Sequence, residues 1–329
     1  MKRKRNSAFT LVELLVVITI IGMLAAIALP AINGARESAR KLECSNNQNQ
    51  IAKAVLAYST EKSQFPARVG LFPGQQLSQF NPSSPSANDV WMSWAVRILP
   101  NIDRQDLYDA LQSAYSGGAA NYATVAEQQY LEIYTCPSDP PANRNAALRV
   151  VVNSGMDDIN YNPINPKAAP DDASTGVFHD QRGRNKPKVD QTYLAQNDGS
   201  ATTLMLAEIT VPAGSTADHK FYDFATETNT GFIWTANEAN SNQPPIGKIA
   251  TAPGSRHRNG VNVAFCDGHT QFLRSDIDYL VYWHLMTSNG KLSNVPPQVS
   301  PLAQWLQFRG QSLPAPYSST VLSDSMYKQ

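Results

Sequence analysis

Charge is scarce in this sequence. Only 16% of its 329 residues are Asp, Glu, Lys or Arg, against about 25% in an average soluble protein. The 27 basic and 27 acidic side chains cancel, which excludes a generally basic nucleic-acid binder as the first reading. Cysteine is scarce too: Cys44, Cys136 and Cys266 allow one bridge but exclude a disulfide-built scaffold. No Gly-Xaa-Ser-Xaa-Gly elbow, phosphate-binding loop or His-Glu-Xaa-Xaa-His occurs, so catalysis is not expected. Hydrophobic residues are not lacking. They make up 42% of the chain, with 11 Phe and 13 Tyr, enough to exclude wholesale disorder. The length suffices for a buried core and for one large domain or two ordinary ones. Polarity comes largely from 25 Asn and 20 Gln.

The neutral balance hides an asymmetry. Lys2, Arg3, Lys4 and Arg5 precede any acidic residue; taking those four away leaves 23 basic against 27 acidic side chains, a net of −4. From Phe9 to Leu29 the chain then reads FTLVELLVVITIIGMLAAIAL, 21 residues with Glu13 as the one charge. As a helix this run covers roughly 30 Å, the hydrocarbon thickness of a bilayer. The basic stub predicts a cytoplasmic N-terminus, with everything after about residue 32 on the far side. An ordinary signal peptide has an apolar region of about 7–15 residues and no carboxylate near its start, so it fits poorly. A plain anchor leaves Glu13 with a cost of about 3 kcal/mol near a helix centre.

The stretch Ala8-Phe9-Thr10-Leu11-Val12-Glu13-Leu14-Leu15-Val16-Val17 resembles the class III signal of type IV prepilins and type II secretion pseudopilins. The resemblance implies that a prepilin peptidase cuts between Ala8 and Phe9 and methylates the new amino terminus on Phe9. The residue before the cut is usually Gly in that family; here it is Ala8. Glu13 becomes the fifth residue after the cut, and its carboxylate would pair with the terminal amine of the next subunit. Two opposite charges in an apolar filament core are tolerable only together. Pro30 falls where the family tends to carry a helix-kinking proline.

Beyond Pro30, Ile32, Ala35, Ala39, Leu42, Ile51, Val55 and Tyr58 recur at helical steps, predicting an amphipathic continuation to about Lys62. The long helix is expected to break or bend at Pro30. Residues 63–90 read as a loop, 91–99 and 104–115 as short helices, and 130–135 as a strand running into a turn at Cys136–Pro140. Strands are expected at 148–152, 202–209 and 231–234. In 255–273, Val261, Val263 and Phe265 alternate with Asn262, Ala264 and Cys266, a strand with one buried face. Asp267-Gly268 then predicts a two-residue type I′ hairpin turn, with 270–273 as the returning strand. Asn259-Gly260 adds a second turn, for a three-stranded antiparallel meander.

A second resemblance, to the DUF1559 family with its prepilin-type N-terminus and H-X9-DG segment, runs through the chain over about residues 9–290. It is carried by Cys44-Ser45-Asn46-Asn47, Gln50-Ile51, Phe65-Pro66, Ser93-Trp94, Leu99-Pro100, Gln105 and Leu107-Tyr108. It continues in Cys136-Pro137-Ser138-Asp139, Asp198-Gly199-Ser200, Thr203-Leu204, Glu208 and His257, then nine residues before Asp267-Gly268. It implies an α+β, pilin-like fold: a long N-terminal transmembrane and amphipathic helix, then a globular head with an antiparallel β-sheet. The expected divisions are a leader at 1–8, a transmembrane helix at 9–32, its continuation at 33–62, the head at 63–295 and a proline-rich tail at 296–329. Cys44 and Cys136 both lie in these phrases and, by topology, outside the cytoplasm, so a bridge between them is expected, with Cys266 a free core thiol.

His257, Asp267 and His269 have the chemistry of metal ligands. The expected reading is structural, with Asp267-Gly268 serving its turn and His257 hydrogen-bonding the backbone of the preceding loop. No cofactor is expected. Calcium is the ion that loops bearing Asp157-Asp158 and Asp171-Asp172 could hold, but neither has EF-hand spacing. The function expected is a pilin-like or pseudopilin-like structural subunit in the inner membrane, with its head periplasmic or at the cell surface. Its partners would be the prepilin peptidase, other pilin-like subunits and the membrane, with no nucleic acid. The alternative is a membrane-anchored binding module, for a glycan or a secreted protein, that never polymerises.

Overall fold

The computed structural model describes residues 11–72, 91–115, 119–156, 173, 175–181, 187–210, 219–222, 230–234, 246, 252–277 and 279–289. One helix, α1, runs from Leu11 to Lys62 over 52 residues, about 78 Å at 1.5 Å per residue. Ala, Leu and Ile are its commonest residues; Ala and Leu lose little or no freedom in a helix, and Leu and Ile pack its face. It ends where Ser63 takes a left-handed φ of 54° and Phe65-Pro66 follow. The helix continues through Pro30 instead of breaking there. A single proline removes one hydrogen bond and crowds one carbonyl, that of Ala26, and the helix resumes on both sides of it.

α1 has two halves of different character. Every large apolar side chain from Leu11 to Leu29 is exposed, and so are Ile32 and Leu42. Burial begins further on, at Cys44, Gln48, Ile51, Ala52, Val55, Tyr58 and Ser59, which are three or four residues apart and form one stripe. The stripe that covers the head therefore lies off the expected positions 32, 35, 39 and 42. It extends back through Lys41 and Glu37, both partly buried or touching the head.

The head follows as β1 (Val69–Leu71), β2 (Trp91–Ser93), α2 (Trp94–Arg97), α3 (Gln105–Tyr115), α4 (Ala119–Glu127), β3 (Val150–Met156), α5 (Gln191–Gln196), β4 (Leu204–Glu208), β5 (Gly231–Trp234), β6 (Gly260–Phe265), β7 (Thr270–Arg274) and α6 (Tyr279–Met286). β1 and β2 make a small antiparallel pair, and the main sheet has the order β5-β3-β4-β6-β7. Three of its four pairings are antiparallel, while β5 lies parallel to β3. A parallel neighbour needs a long connection, and here the chain completes α5 and β4 between the two strands. The architecture is α+β, a long apolar helix followed by a globular head.

Local differences from expectation have identifiable causes. Residues 91–93 extend and pair with β1 before Ser93 caps α2, its hydroxyl accepting from the Val96 amide. Glu132–Tyr134 forms a 3-10 turn instead of a strand, because Tyr134 is drawn into the core and its hydroxyl donates to the Ala95 carbonyl at 2.7 Å. β6 is buried on both faces, not one. Val261 and Val263 face one side with Leu273, while Asn262 and Ala264 share the other with Phe272 and Thr270, on which α1 lies. The β6–β7 connection is a three-residue loop with Gly268 N–H bonded to Phe265 O and Phe265 N–H to His269 O. Only Gly268 has a positive φ, +92°, so the turn is type I with a glycine bulge and not type I′. Asn259-Gly260 leads into β6, but the strand beside β6 is β4 and not an immediately preceding hairpin partner.

The core centres on Trp94, Tyr134, Phe178, Phe221, Phe232 and Phe265, all fully buried. Trp94 also donates Nε1–H to the Thr230 carbonyl at 2.7 Å. Asn153 on β3 donates to the carbonyls of Leu204 and Met286 and accepts from Gly155 N–H, so a buried amide is satisfied while joining β3, β4 and α6.

Candidate functional site

Two regions bear on function, the exposed half of α1 and the place where α1 meets the head. In the first, Glu13 lies in the first turn of the described helix and Pro30 within it. Ala8 and Phe9 lie outside the described residues, as do Asp157, Asp158, Asp171, Asp172 and the tail from 296. Thr19, a polar residue inside the apolar run, returns its hydroxyl to the Leu15 and Val16 carbonyls. The hydroxyl of that side chain is thus satisfied within the helix itself. The helix is long and apolar enough to cross a membrane.

The second region is a fastening point built from distant segments. Cys44 Sγ and Cys136 Sγ form a disulfide across 92 residues of sequence, tying α1 to the turn after the 3-10 helix. That turn closes with Asp139 N–H on Cys136 O at 2.9 Å. Ser138 in the turn donates to Glu37 of α1 at 3.2 Å, and Asp139 pairs with Arg149 and Arg256. Further along α1, Gln48 donates to the Asn262 carbonyl, Asn49 to the Gly268 carbonyl, and Ser45 to the Thr270 hydroxyl. Lys41 sits over the Phe272 ring at 3.1 Å, a cation–π contact.

His257 lies at the centre. Its side chain is only 1% exposed and its Nδ1–H donates to Glu37 Oε1 at 2.7 Å. Nε2 faces Glu208 Oε1 and Cys136 Sγ, each at 3.5 Å. The ring thus bonds side chains of α1 and β4 and not the backbone of its preceding loop; the local loop contact is made by its amide N–H, to Ser255. Burial presses the His257 pKa down, but the hydrogen bonds to Glu208 and Glu37 outweigh it and raise it above the ordinary value. The same bond from His257 holds the Glu37 carboxyl below its usual range. Glu208, 3% exposed, is itself fixed by Asn262, whose backbone N–H and side-chain amide reach its two oxygens at 3.0 and 2.9 Å.

Asp267 and His269 do not join this group. They pair with each other on the hairpin turn at 2.6 Å, and the His269 ring stacks on Phe265. Cys266 is a free, buried thiol whose pKa burial raises. Glu37 and Asn262 are the residues that motif reading passes over. Glu37 carried a signal: it precedes Cys44 by seven residues, two helical turns, and so shares the face that the bridge docks.

The chain thus has a long helix, apolar enough in its N-terminal half to cross a membrane, with a head riveted to its C-terminal half. Its first residues match the prokaryotic N-terminal methylation motif over 3–29. Residues 33–280 match the family described as protein of unknown function (DUF1559), and the chain belongs to that family. No curated protein and no solved structure matches it.

Proposed function

We infer that the chain is a pilin-like structural subunit of a type II secretion or type IV pilus-like system. It inserts in the inner membrane through α1, is cut by a prepilin peptidase between Ala8 and Phe9, is methylated on Phe9 and assembles helix to helix. The observation that carries this reading is the methylation motif at 3–29 joined to a helix whose apolar half stands clear of the head. A side-chain surface of that kind needs lipid or another helix around it. In lipid the span is soluble by itself; in a filament, neighbouring copies would replace the lipid, and each Glu13 would meet the amino terminus of the next subunit. The head keeps a fixed position on the stem because the disulfide and the Glu37–His257 contact lock it there.

The test is Glu13→Ala in cells that carry the peptidase and assembly machinery, with cysteines placed in α1 for cross-linking between neighbouring stems. The reading expects normal cleavage and a loss of the cross-linked ladder. A ladder of wild-type length in Glu13→Ala, or none in the wild type, contradicts it.

A further inference from the structure

The fastening point holds a second chemistry that the assembly reading does not use. One ligand atom from each of Cys44, Cys136, Glu208 and His257 lies within 4.8 Å of all the others, and all four residues are buried. They come from α1, the turn after the 3-10 helix, the end of β4 and the approach to β6. With the disulfide closed, the sulfurs are bonded to each other and offer no thiolate. Reduction by a dithiol, two electrons and two protons, opens the S–S bond to two thiols. Tetrahedral zinc distances put two thiolate sulfurs about 3.8 Å apart and the other donors slightly nearer; His257 Nε2 already stands 3.5 Å from Cys136 Sγ and from Glu208 Oε1, and reduction frees the two sulfurs to part from their bonded distance.

The surrounding groups are arranged as metal outer shells are. A ligating histidine donates its other ring N–H to a carboxylate; His257 does so through Nδ1 to Glu37, which turns Nε2 toward Cys136 and Glu208. Glu208 is oriented by two bonds from Asn262, each leaving its oxygen a further lone pair. Two thiolates, an imidazole and one carboxylate are all donors that zinc takes, and four of them complete its tetrahedron without water.

We propose that in its dithiol state the junction is a tetrahedral Zn2+ site formed by Cys44 Sγ, Cys136 Sγ, His257 Nε2 and a Glu208 oxygen. Zinc or the disulfide then fastens α1 to the head, one excluding the other. Metal entry displaces the two thiol protons and any proton on Nε2. Oxidation by a disulfide-containing thiol oxidant forms the Cys44–Cys136 bond and breaks the oxidant's own. Two electrons pass to the oxidant, which leaves as two thiolates, and Zn2+ is released.

The test uses the full chain in detergent, metal-free, reduced with a phosphine and titrated with Co2+ as the probe. The proposal expects saturation at one equivalent, with tetrahedral visible bands and thiolate-to-cobalt charge-transfer bands that Zn2+ abolishes. The disulfide chain gives no such bands. Glu37→Gln weakens the affinity by about 10- to 100-fold, the range for outer-shell partners, and His257→Asn and Glu208→Gln weaken it at least as much. If the reduced chain loses its head structure by circular dichroism, one equivalent of Zn2+ restores it. No tetrahedral bands in the reduced chain, bands unchanged in His257→Asn and Glu208→Gln, or a reduced head that zinc fails to restore each overturn the proposal.

Discussion

Removing the bridge between Cys44 and Cys136 should cost the head a large part of its stability. The bond closes a loop of 92 residues, and the chain-entropy relation gives about 4.6 kcal/mol at 25 °C for that length. Domains of this kind are stable by only about 5–15 kcal/mol. The double variant Cys44→Ala, Cys136→Ala avoids burying hydroxyls at two positions that are 3% and 5% exposed. It keeps the stripe of Ile51, Val55 and Tyr58 against the sheet, so the fold persists while the unfolded chain gains freedom. The assay is urea unfolding of the detergent-solubilised chain with a chelator present, followed by tryptophan fluorescence, to which the buried Trp94 contributes. With a slope of about 3 kcal/mol per molar urea, the midpoint should fall by about 1.5 M. A shift below about 0.3 M would refute the reasoning, because the bridge would then not be constraining the unfolded chain.

Three smaller perturbations probe the same architecture. Glu37→Gln removes the charged partner of His257; hydrogen bonds to charged groups contribute about 1.5–3 kcal/mol, and because Glu37 is 40% exposed, screening reduces the expected loss to about 1 kcal/mol in the same urea assay. Gly268→Ala places a Cβ at φ +92° and 2.8 Å from Leu56 Cδ1, so the melt should show a loss of about 1–3 kcal/mol. Glu127 is held below its ordinary value of 4.5 by hydrogen bonds from Lys220 and Tyr222. Since the folded pKa is depressed, the stability this carboxylate contributes is present above pH 4.5 and lost as pH falls through the folded value. The stability gap between the wild type and Glu127→Gln should therefore be open near neutrality and close in acid, and a gap independent of pH would contradict the assignment.

How much was legible in the sequence depended on whether the signal was local. The long helix, β4, β5 and the β6–β7 hairpin could be read because alternation, helical periodicity and Asp267-Gly268 are contained within short windows. The turn type could not, since Asp-Gly serves a type I′ pair and a type I turn with a glycine bulge equally well. β6 read as half-buried because Asn262 looks solvent-facing, yet its amide is spent on Glu208 under α1. The 3-10 turn at Glu132–Tyr134 depends on Tyr134 reaching Ala95, 39 residues away. The fastening point was hardest of all to read. Glu37 meets His257 across 220 residues, and only the docking of α1 on the sheet brings them together.

The central claim is that this is a prepilin-type subunit, and the N-terminus of the mature protein tests it most directly. Intact mass and N-terminal sequencing of the protein extracted from membranes containing the peptidase should give a chain that begins with N-methylated Phe9. A chain that retains residues 1–8, or that begins elsewhere, would contradict the account and leave α1 as a simple membrane anchor.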